Sequence, residues 1–368
     1  MSKLVISGYY GFNNAGDETV LHAMIQTMRK LEPAMEITVL SHDPKHTEKL
    51  YGVKAVNRWR VLETAKALSS CDLLLSGGGS LLQDVTSSNS PLYYLGVIML
   101  AKLLGKPAVI YAQGIGPIRK KRNRLLAAWV LNRVKLITVR DQGSKDELQS
   151  MGVENTVTVT ADPVLGLKGE DIDPRIGKEI LAQNGVLPTD RERLLGVFIR
   201  SWENNAYLPE LALSCDELSK RGWKIVFIPL HFPEDIAVSR EAAGMMKAGS
   251  VVCRGGYRPE EFLSITKNLD MVIGMRLHAL IYGAVAGVSL VGVSYDPKVE
   301  RFLEQVGRQS LLTVQDLKSQ VLVEMADWAS ENQEELNKDT QKKVQVLFQK
   351  AWQTARLVEE LLKEQRNL

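Results

Sequence analysis

The residues best suited to chemistry are Arg276 and His278, in the segment Gly274-Met275-Arg276-Leu277-His278 that follows a short apolar run at 271–273. They stand at the start of an apolar helical pattern, and polar side chains there need partners once the helix is buried. A helix N-terminus favours anions, so a bound phosphate or carboxylate would supply those partners. We therefore predict an anion site at this segment. A core histidine bonded to a backbone carbonyl remains the alternative for His278.

Three more side chains of the second half follow apolar runs and could contact the same anion. Because parallel strands end at one edge of a sheet, residues that follow them are expected to lie together. The three are Arg200, His231 and Lys298, after the runs at 194–199, 224–229 and 289–293. A structural role for His231 and a plain proline-containing turn for Lys298 remain alternatives.

Loops rich in glycine follow the apolar runs of the first half. The first extends from Gly8 to Glu18, and the second contains Gly77-Gly78-Gly79, whose consecutive glycines cost backbone entropy. A tight strand-to-helix turn remains the alternative for the first loop, with Asp17 or Glu18 capping a helix that begins near Thr19. The predicted ligand-contacting residues at this edge are Tyr10, Phe12, Asn14, Gly16, Gly78, Gly79, Gln113 and Arg140.

Short apolar runs bounded by glycine alternate with helical patterns along most of the chain. This rhythm is typical of parallel strands joined by helices, so we predict an α/β fold with doubly wound sheets. A charged segment at 168–193 interrupts the rhythm, and 368 residues exceed what one core sustains, which indicates two domains. We predict a first domain at 1–170, a second at 190–315, and amphipathic helices at 316–368 that pack back on the first domain.

Composition excludes several classes of protein. The chain has 46 basic and 43 acidic residues, a balance that argues against nucleic acid as the main partner. Cys71, Cys215 and Cys253 are too far apart in sequence for a disulfide framework or a metal site, which favours a reducing compartment. No apolar stretch approaches the length of a membrane-spanning helix.

Taken together and in this order, these motifs resemble those of the polysaccharide pyruvyl transferase family. The resemblance extends over residues 8–300 and is closest to the CsaB-type branch, which pyruvylates secondary cell wall polymers of Gram-positive bacteria. It implies a GT-B-like pair of Rossmann-type domains. It also implies transfer of pyruvate from phosphoenolpyruvate to a sugar as a 4,6-linked ketal. The segments that carry it are the loop at 8–18, Gly77-Gly78-Gly79, Gln113-Gly114-Ile115-Gly116-Pro117 and Arg276-Leu277-His278.

The resemblance implies a role for one motif, and the chemistry of the transfer leads us to expect roles for further residues. The family's Arg-Leu-His motif is associated with donor binding and corresponds to Arg276 and His278. Arg200 is the expected second arginine of a clamp for the donor's phosphate and carboxylate. His278 is expected to supply a proton or to assist phosphate departure, and Asp17 to accept a hydroxyl proton. Phosphoenolpyruvate is a co-substrate, and we expect neither a cofactor nor a metal.

The expected acceptor is N-acetylmannosamine in a lipid-linked precursor, which requires access to a membrane surface. Lys120, Lys121 and Arg122 precede apolar residues and could contact anionic lipid from the cytoplasmic side, although a solvated helix start is the alternative. A GT-B glycosyltransferase that uses a nucleotide sugar is the closest rival function. A carbohydrate-binding protein without enzymatic activity is the second alternative.

Overall fold

The computed structural model describes residues 1–84, 89–187, 192–309 and 312–366. They form two compact units. Unit 1 comprises Met1–Phe12, Asp17–Gly166 and Leu347–Leu368. Unit 2 comprises Asn13–Gly16 and Leu167–Val346.

Unit 1 contains a parallel sheet with the strand order β3-β2-β1-β4-β5-β6-β7. Its central strands are buried on both faces, which is why they read as unbroken apolar runs in the sequence. The strands are β1 (Lys3–Ser7), β2 (Glu36–Ser41), β3 (Lys54–Asn57), β4 (Leu73–Gly77), β5 (Ala108–Gln113), β6 (Leu136–Val139) and β7 (Val157–Val159).

Helices connect these strands, because parallel pairing requires a crossover between successive strands. The core of unit 1 is formed by leucine, isoleucine and valine side chains between the sheet and these helices. The helices are α1 (Ala15–Leu31), α2 (Pro44–Tyr51), α3 (Val61–Ser70), α4 (Ser90–Leu103), α5 (Lys121–Leu131) and α6 (Gln142–Ser150).

Unit 2 repeats the same arrangement with the strand order β10-β9-β8-β11-β12, again parallel throughout. Its strands are β8 (Arg193–Phe198), β9 (Trp223–Phe227), β10 (Ser250–Val252), β11 (Met271–Gly274) and β12 (Ser289–Gly292). Its helices are α7 (Pro174–Gln183), α8 (Leu208–Lys220), α9 (Glu234–Met245), α10 (Pro259–Lys267), α11 (Leu277–Ala286), α12 (Pro297–Gln305), α13 (Ser319–Glu331) and the first part of α14 (Gln333–Arg366).

Both sheets reverse their strand order at one point, between β1 and β4 in unit 1 and between β8 and β11 in unit 2. In open parallel sheets, ligands bind beyond the carboxyl ends of the strands at this reversal. The loops that follow these four strands are therefore the places to look for a site.

The predicted segment boundaries do not coincide with the observed units. Residues 316–346 belong to unit 2, where α13 packs on α8, and only the last part of α14 belongs to unit 1. Trp352 anchors that part by donating to the Gly166 carbonyl at 3.0 Å. Residues 13–16 also belong to unit 2, although they follow β1 in sequence. Residue 190, the expected start of the second domain, lies outside the described residues.

Candidate functional site

Arg200 and Arg276 follow the two strands that flank the reversal in unit 2. Strands β8 and β11 pair directly, with Phe198 opposite Gly274, and the Met275 amide donates to the Phe198 carbonyl at 2.9 Å. The two arginines stand two residues beyond these paired ends. Strand pairing therefore brings together two cations that are 76 residues apart in sequence.

Asp235, which sequence reasoning missed, holds Arg276 in place. One carboxylate oxygen contacts Nη2 of Arg276, and the other accepts from the His231 amide at 2.9 Å. The Asp235 side chain is 1% exposed and that of Arg276 is 15% exposed, so the pair is shielded from water. The one available signal was its place in the first turn of α9, four residues after His231, a position that many acids occupy for helix stability alone.

Tyr295 lies near the three predicted cations of unit 2, Arg200, Arg276 and Lys298. Arg200 donates from Nη1 to the Tyr295 hydroxyl at 3.0 Å, and Nζ of Lys298 lies 5.3 Å from the centre of its ring. Burial raises the pKa of the Tyr295 phenol, but the charges of Lys298, Arg200 and Arg276 outweigh burial and hold that pKa below its ordinary value. The predicted turn at Lys298 is the start of α12, where Asp296 caps the helix and pairs with Nζ at 3.1 Å. This concentration of positive charge suits an anionic ligand.

We expect Tyr295 to ionise at lower pH than Tyr94 and Tyr257, whose phenol pKa values burial raises to about 12. Replacing Tyr295 by phenylalanine should remove an early step of the phenolate absorbance titration, and Tyr257→Phe should remove a late one. An anion held by the same cations would weaken their effect, so added inorganic phosphate should move the early step to higher pH. An early step that survives in Tyr295→Phe would contradict the assignment.

His278 is the second residue of α11, and its ring lies against the backbone of Gly16. A β-carbon at Gly16 would overlap Nδ1 of the imidazole, so only glycine allows this approach. One helical turn later, the Tyr282 hydroxyl donates to the Ala15 carbonyl at 2.9 Å. The segment at 13–16 thus fixes the face of α11 that carries His278, which explains why it is part of unit 2.

Gly16→Ala should have the opposite effect on stability from an ordinary helical glycine replacement. Alanine stabilises an exposed helix position by about 1 kcal/mol relative to glycine. Gly96 in α4 has open space around its α-carbon, so Gly96→Ala should raise the urea midpoint of unfolding. Gly16→Ala should lower it, since overpacking costs about 1–3 kcal/mol. Equal gains in both variants would show that His278 does not lie against Gly16.

Asn14 and His231 are neighbours in unit 2. They form an isolated antiparallel bridge, and the Ala15 amide donates to the Leu230 carbonyl at 2.8 Å. The Asn14 side chain accepts from the Gly16 amide at 3.2 Å, so Asn14 caps α1 and the helix begins at Ala15 rather than near Thr19. His231 is partly exposed, with Nε2 at 3.6 Å from the carboxylate of Glu234. Both residues therefore help to build the loop beside Arg276.

In unit 1, the turn after β4 lies against the loop after β1. Gly78 and Gly79 have positive φ angles of 85° and 68°, which favour glycine. A β-carbon at Gly79 would meet Oδ1 of Asp17, so this carboxylate lies directly on the turn. Tyr10 is fully buried, and its hydroxyl donates to the Gly77 carbonyl at 2.6 Å. Tyr10 thus supports the turn from inside the unit. The sequence had led us to expect that its side chain would contact a ligand, but the side chain is fully buried.

Gln113 and Arg140 adjoin the same turn but are engaged within the protein. Gln113 is fully buried and donates to the Ser76 carbonyl at 2.9 Å. Arg140 is 5% exposed, pairs with Asp162 at 3.2 Å and donates to the Ser80 hydroxyl at 3.0 Å. Both side chains thus support the turn through these hydrogen bonds, although Oε1 of Gln113 has no hydrogen-bond partner. Their contact with a ligand stays a prediction.

Glu18 and Phe12 organise the first loop in different ways. Glu18 accepts hydrogen bonds from the Gly11 amide at 2.7 Å and from the Tyr51 hydroxyl at 2.6 Å. Its side chain therefore stabilises the first loop and does not cap α1. Burial raises the pKa of its carboxyl against the effect of these hydrogen bonds. The Phe12 ring stacks on that of His42, with centroids 4.4 Å apart.

Two kinds of chemistry find no support in the described residues. Within them, no three His, Cys, Asp or Glu side chains converge as metal ligands would. Burial raises the pKa of the Cys71 thiol to about 11 and those of Cys215 and Cys253 to about 12, so these thiols are poor nucleophiles at neutral pH.

No helix in the described ranges has the length and apolar character needed to cross a bilayer.

Several solved structures are similar to this chain over almost its whole length. HepE from Anabaena, in complex with UDP-glucose, matches with a TM-score of 0.67 and 13% identity over 99% of this chain and 100% of that one. The UDP complex of MnaA from S. aureus matches with a TM-score of 0.68 and 12% identity over 100% and 98% of the two chains. At such low identity the likeness shows the fold alone. The predicted α/β, GT-B-like class with a helical C-terminal segment is confirmed.

Sequence comparison identifies the family. The amylovoran biosynthesis protein AmsJ of Erwinia amylovora is 19% identical over 405 residues, covering 93% of this chain and 95% of that protein. The profile of the polysaccharide pyruvyl transferase family matches residues 14–297, a range that includes Arg200, Arg276, His278 and the turn at Gly78. The chain therefore belongs to the polysaccharide pyruvyl transferase family.

Proposed function

We propose that this transferase moves pyruvate from phosphoenolpyruvate onto the 4- and 6-hydroxyls of a sugar. The observation that carries the proposal is the cluster of Arg200, Arg276 and Lys298 around Tyr295, at the strand reversal of unit 2. Phosphoenolpyruvate bears a phosphate and a carboxylate, and arginine pairs well with both groups. His231, whose backbone shares Asp235 with Arg276, belongs to the same donor site.

The proposed reaction balances without an added reagent. Two sugar hydroxyls form C–O bonds to the central carbon of the donor, and the C–O bond to phosphate breaks. Of the two protons that the hydroxyls lose, one ends on the methylene carbon, which becomes a methyl group, and the other leaves with phosphate. His278 supplies the proton or assists phosphate departure, and Asp17 accepts a hydroxyl proton. No cofactor or metal takes part in this scheme.

The deciding experiment measures phosphate released from phosphoenolpyruvate by the purified full chain, with and without a synthetic lipid-linked N-acetylmannosamine acceptor. We expect acceptor-dependent release and a product whose mass corresponds to a pyruvate ketal. Asp17→Asn should lower kcat with little change in the KM for either substrate. Near-normal turnover in Asp17→Asn would show that Asp17 is not the base.

The rival function is glycosyl transfer from a nucleotide sugar, which the same fold could support. A ligand that binds only the folded protein raises its melting temperature, so thermal protection distinguishes the donors. We expect protection by phosphoenolpyruvate and none by UDP-sugars at equal concentration. The reverse result, with no phosphate release, would favour a glycosyltransferase. Protection by free saccharide alone, with no turnover, would favour a binding protein.

We further propose that the acceptor is a lipid-linked secondary cell wall precursor, as in the CsaB-type branch, and that the enzyme meets it at the cytoplasmic face of the membrane. Lys120, Lys121 and Arg122 are exposed at the start of α5. Leu125 and Trp129, four and eight residues after Lys121, are also exposed and share its helix face. Charged and apolar groups on one face suit an anionic bilayer surface.

Flotation with vesicles tests this contact. We expect enrichment on phosphatidylglycerol vesicles over phosphatidylcholine vesicles. Replacing Lys120, Lys121 and Arg122 by serine should abolish most of it, since each cation contributes about 1 kcal/mol near an anionic surface. Lys45→Ser with Lys49→Ser, on exposed positions of α2, serves as the control. Equal flotation on both vesicle types would remove the proposal.

A further inference from the structure

Aromatic side chains crowd the ends of the first three strands of unit 1. Tyr9 and Phe12 follow β1, and their rings stack in parallel with centroids 4.1 Å apart. His42 directly follows β2 and stacks on the other side of Phe12. Trp59 lies two residues after β3, and its centroid is 5.3 Å from that of Tyr93 in α4. We call these five residues the aromatic wall.

A buried cation holds the aromatic wall together. Arg58 is 5% exposed, and its guanidinium carbon lies 4.1 Å from the ring centre of Tyr93 and 5.0 and 5.2 Å from those of Trp59 and Phe12. Its Nη1 donates to the Gly8 carbonyl at 2.9 Å. In the described ranges Arg58 makes no ion pair with a carboxylate, and its Nε has no hydrogen-bond partner. The ring faces thus take the place of a counter-ion, which fixes their orientation.

Trp59 is exposed although it is held on two sides. Its indole NH donates to Nδ1 of His42 at 3.3 Å, and one face packs toward Arg58, yet 58% of its surface is open to solvent. The Trp59 indole is therefore fixed in position while part of its surface stays open to a ligand. His42, which accepts this hydrogen bond, is exposed as well, and so are the sequence neighbours Asp43 and Arg60.

We propose that the aromatic wall is a saccharide subsite of unit 1, which binds a pyranose ring of the acceptor against the open face of Trp59. A pyranose presents C–H groups on one face and hydroxyls around its edge, and this matches an indole with the polar border that the exposed His42 provides. A lipid chain would gain nothing from that polar border. The wall also stands on the sheet edge that carries the Gly78 turn. This inference rests on the proposed function, since it names where that enzyme holds its acceptor.

The first test compares Trp59→Ala with Trp328→Ala in the full chain. Trp328 is 56% exposed, which matches Trp59, but it lies on α13 outside the aromatic wall. Loss of one aromatic contact should raise the acceptor KM about tenfold in Trp59→Ala, with kcat and the KM for phosphoenolpyruvate unchanged. Trp59→Phe should fall between the two, and Trp328→Ala should match wild type. An unchanged acceptor KM in Trp59→Ala, or an equal change in Trp328→Ala, would overturn the proposal.

A second test measures binding of an acceptor sugar without turnover, so its result can be interpreted even if no phosphate is released. Saturation-transfer NMR with the methyl β-glycoside of N-acetylmannosamine should show transfer from wild type and Trp328→Ala, and little from Trp59→Ala. No transfer from wild type would overturn the proposal, whatever the outcome of the phosphate assay. Equal transfer from wild type and Trp59→Ala, together with loss of phosphatidylglycerol vesicle binding in Trp59→Ala, would show that the wall is a membrane contact instead.

Discussion

Arg276→Lys is expected to lower kcat/KM for phosphoenolpyruvate about a hundredfold or more, since a lysine cannot form the two parallel hydrogen bonds that a guanidinium offers to phosphate or carboxylate. The loss should appear mainly as a raised donor KM. The Asp235 carboxylate keeps a cationic neighbour in this variant, so the melting temperature should change little. Phosphate release over a range of donor concentrations, with thermal unfolding in parallel, measures both effects.

The Arg276→Ala variant tests the contribution of Arg276 to the stability of the fold, which Arg276→Lys leaves largely intact. It leaves Asp235 buried without its cation, which should cost about 3–5 kcal/mol and lower the melting temperature visibly. Arg258 is the matched control, because it precedes α10 just as Arg276 precedes α11, but it is exposed and pairs with Glu261. Arg258→Ala should keep kcat/KM within about twofold of wild type, as surface substitutions usually do. Full activity in Arg276→Lys would rule out Arg276 as a donor ligand.

His278→Gln is expected to lower kcat by about 10²- to 10⁴-fold, the range that a positioned proton donor or acceptor contributes. Glutamine is close in size and keeps a hydrogen-bonding group against Gly16, so the fold should tolerate it. Donor affinity, measured by calorimetry, should change much less than kcat. The pH profile of kcat should lose the limb that belongs to the imidazole.

His22→Gln is the control for His278, because His22 also lies on a helix, where it is buried and bonds to Gln26 within α1. It should leave kcat and its pH profile unchanged. If His278→Gln weakened donor affinity and kcat in equal proportion, His278 would be a binding residue and not a proton-transfer group. A pH profile identical to that of wild type would lead to the same conclusion.

The apolar runs of the sequence located most strands, but they did not reveal β3. Strand β3 has only four residues, Lys-Ala-Val-Asn, and none is buried, because it lies at the edge of the sheet. Without burial on either face it lacks the apolar pattern that marks the central strands. Because the sequence analysis missed β3, it also missed the two residues that follow its end, Trp59 of the aromatic wall and Arg58, which holds the wall together.

The sequence by itself determined the two α/β units, the glycine turns and the prominence of Arg276 and His278, because these depend on local pattern and composition. Only the tertiary structure decided which strand ends meet. Pairing of β8 with β11 joins Arg200 to Arg276, and packing of α9 brings Asp235 to the same arginine. Likewise, residues 13–16 lie with unit 2, where Gly16 meets His278. Such contacts join residues far apart in the chain, and strand order and helix packing fix them without leaving a local trace in the sequence.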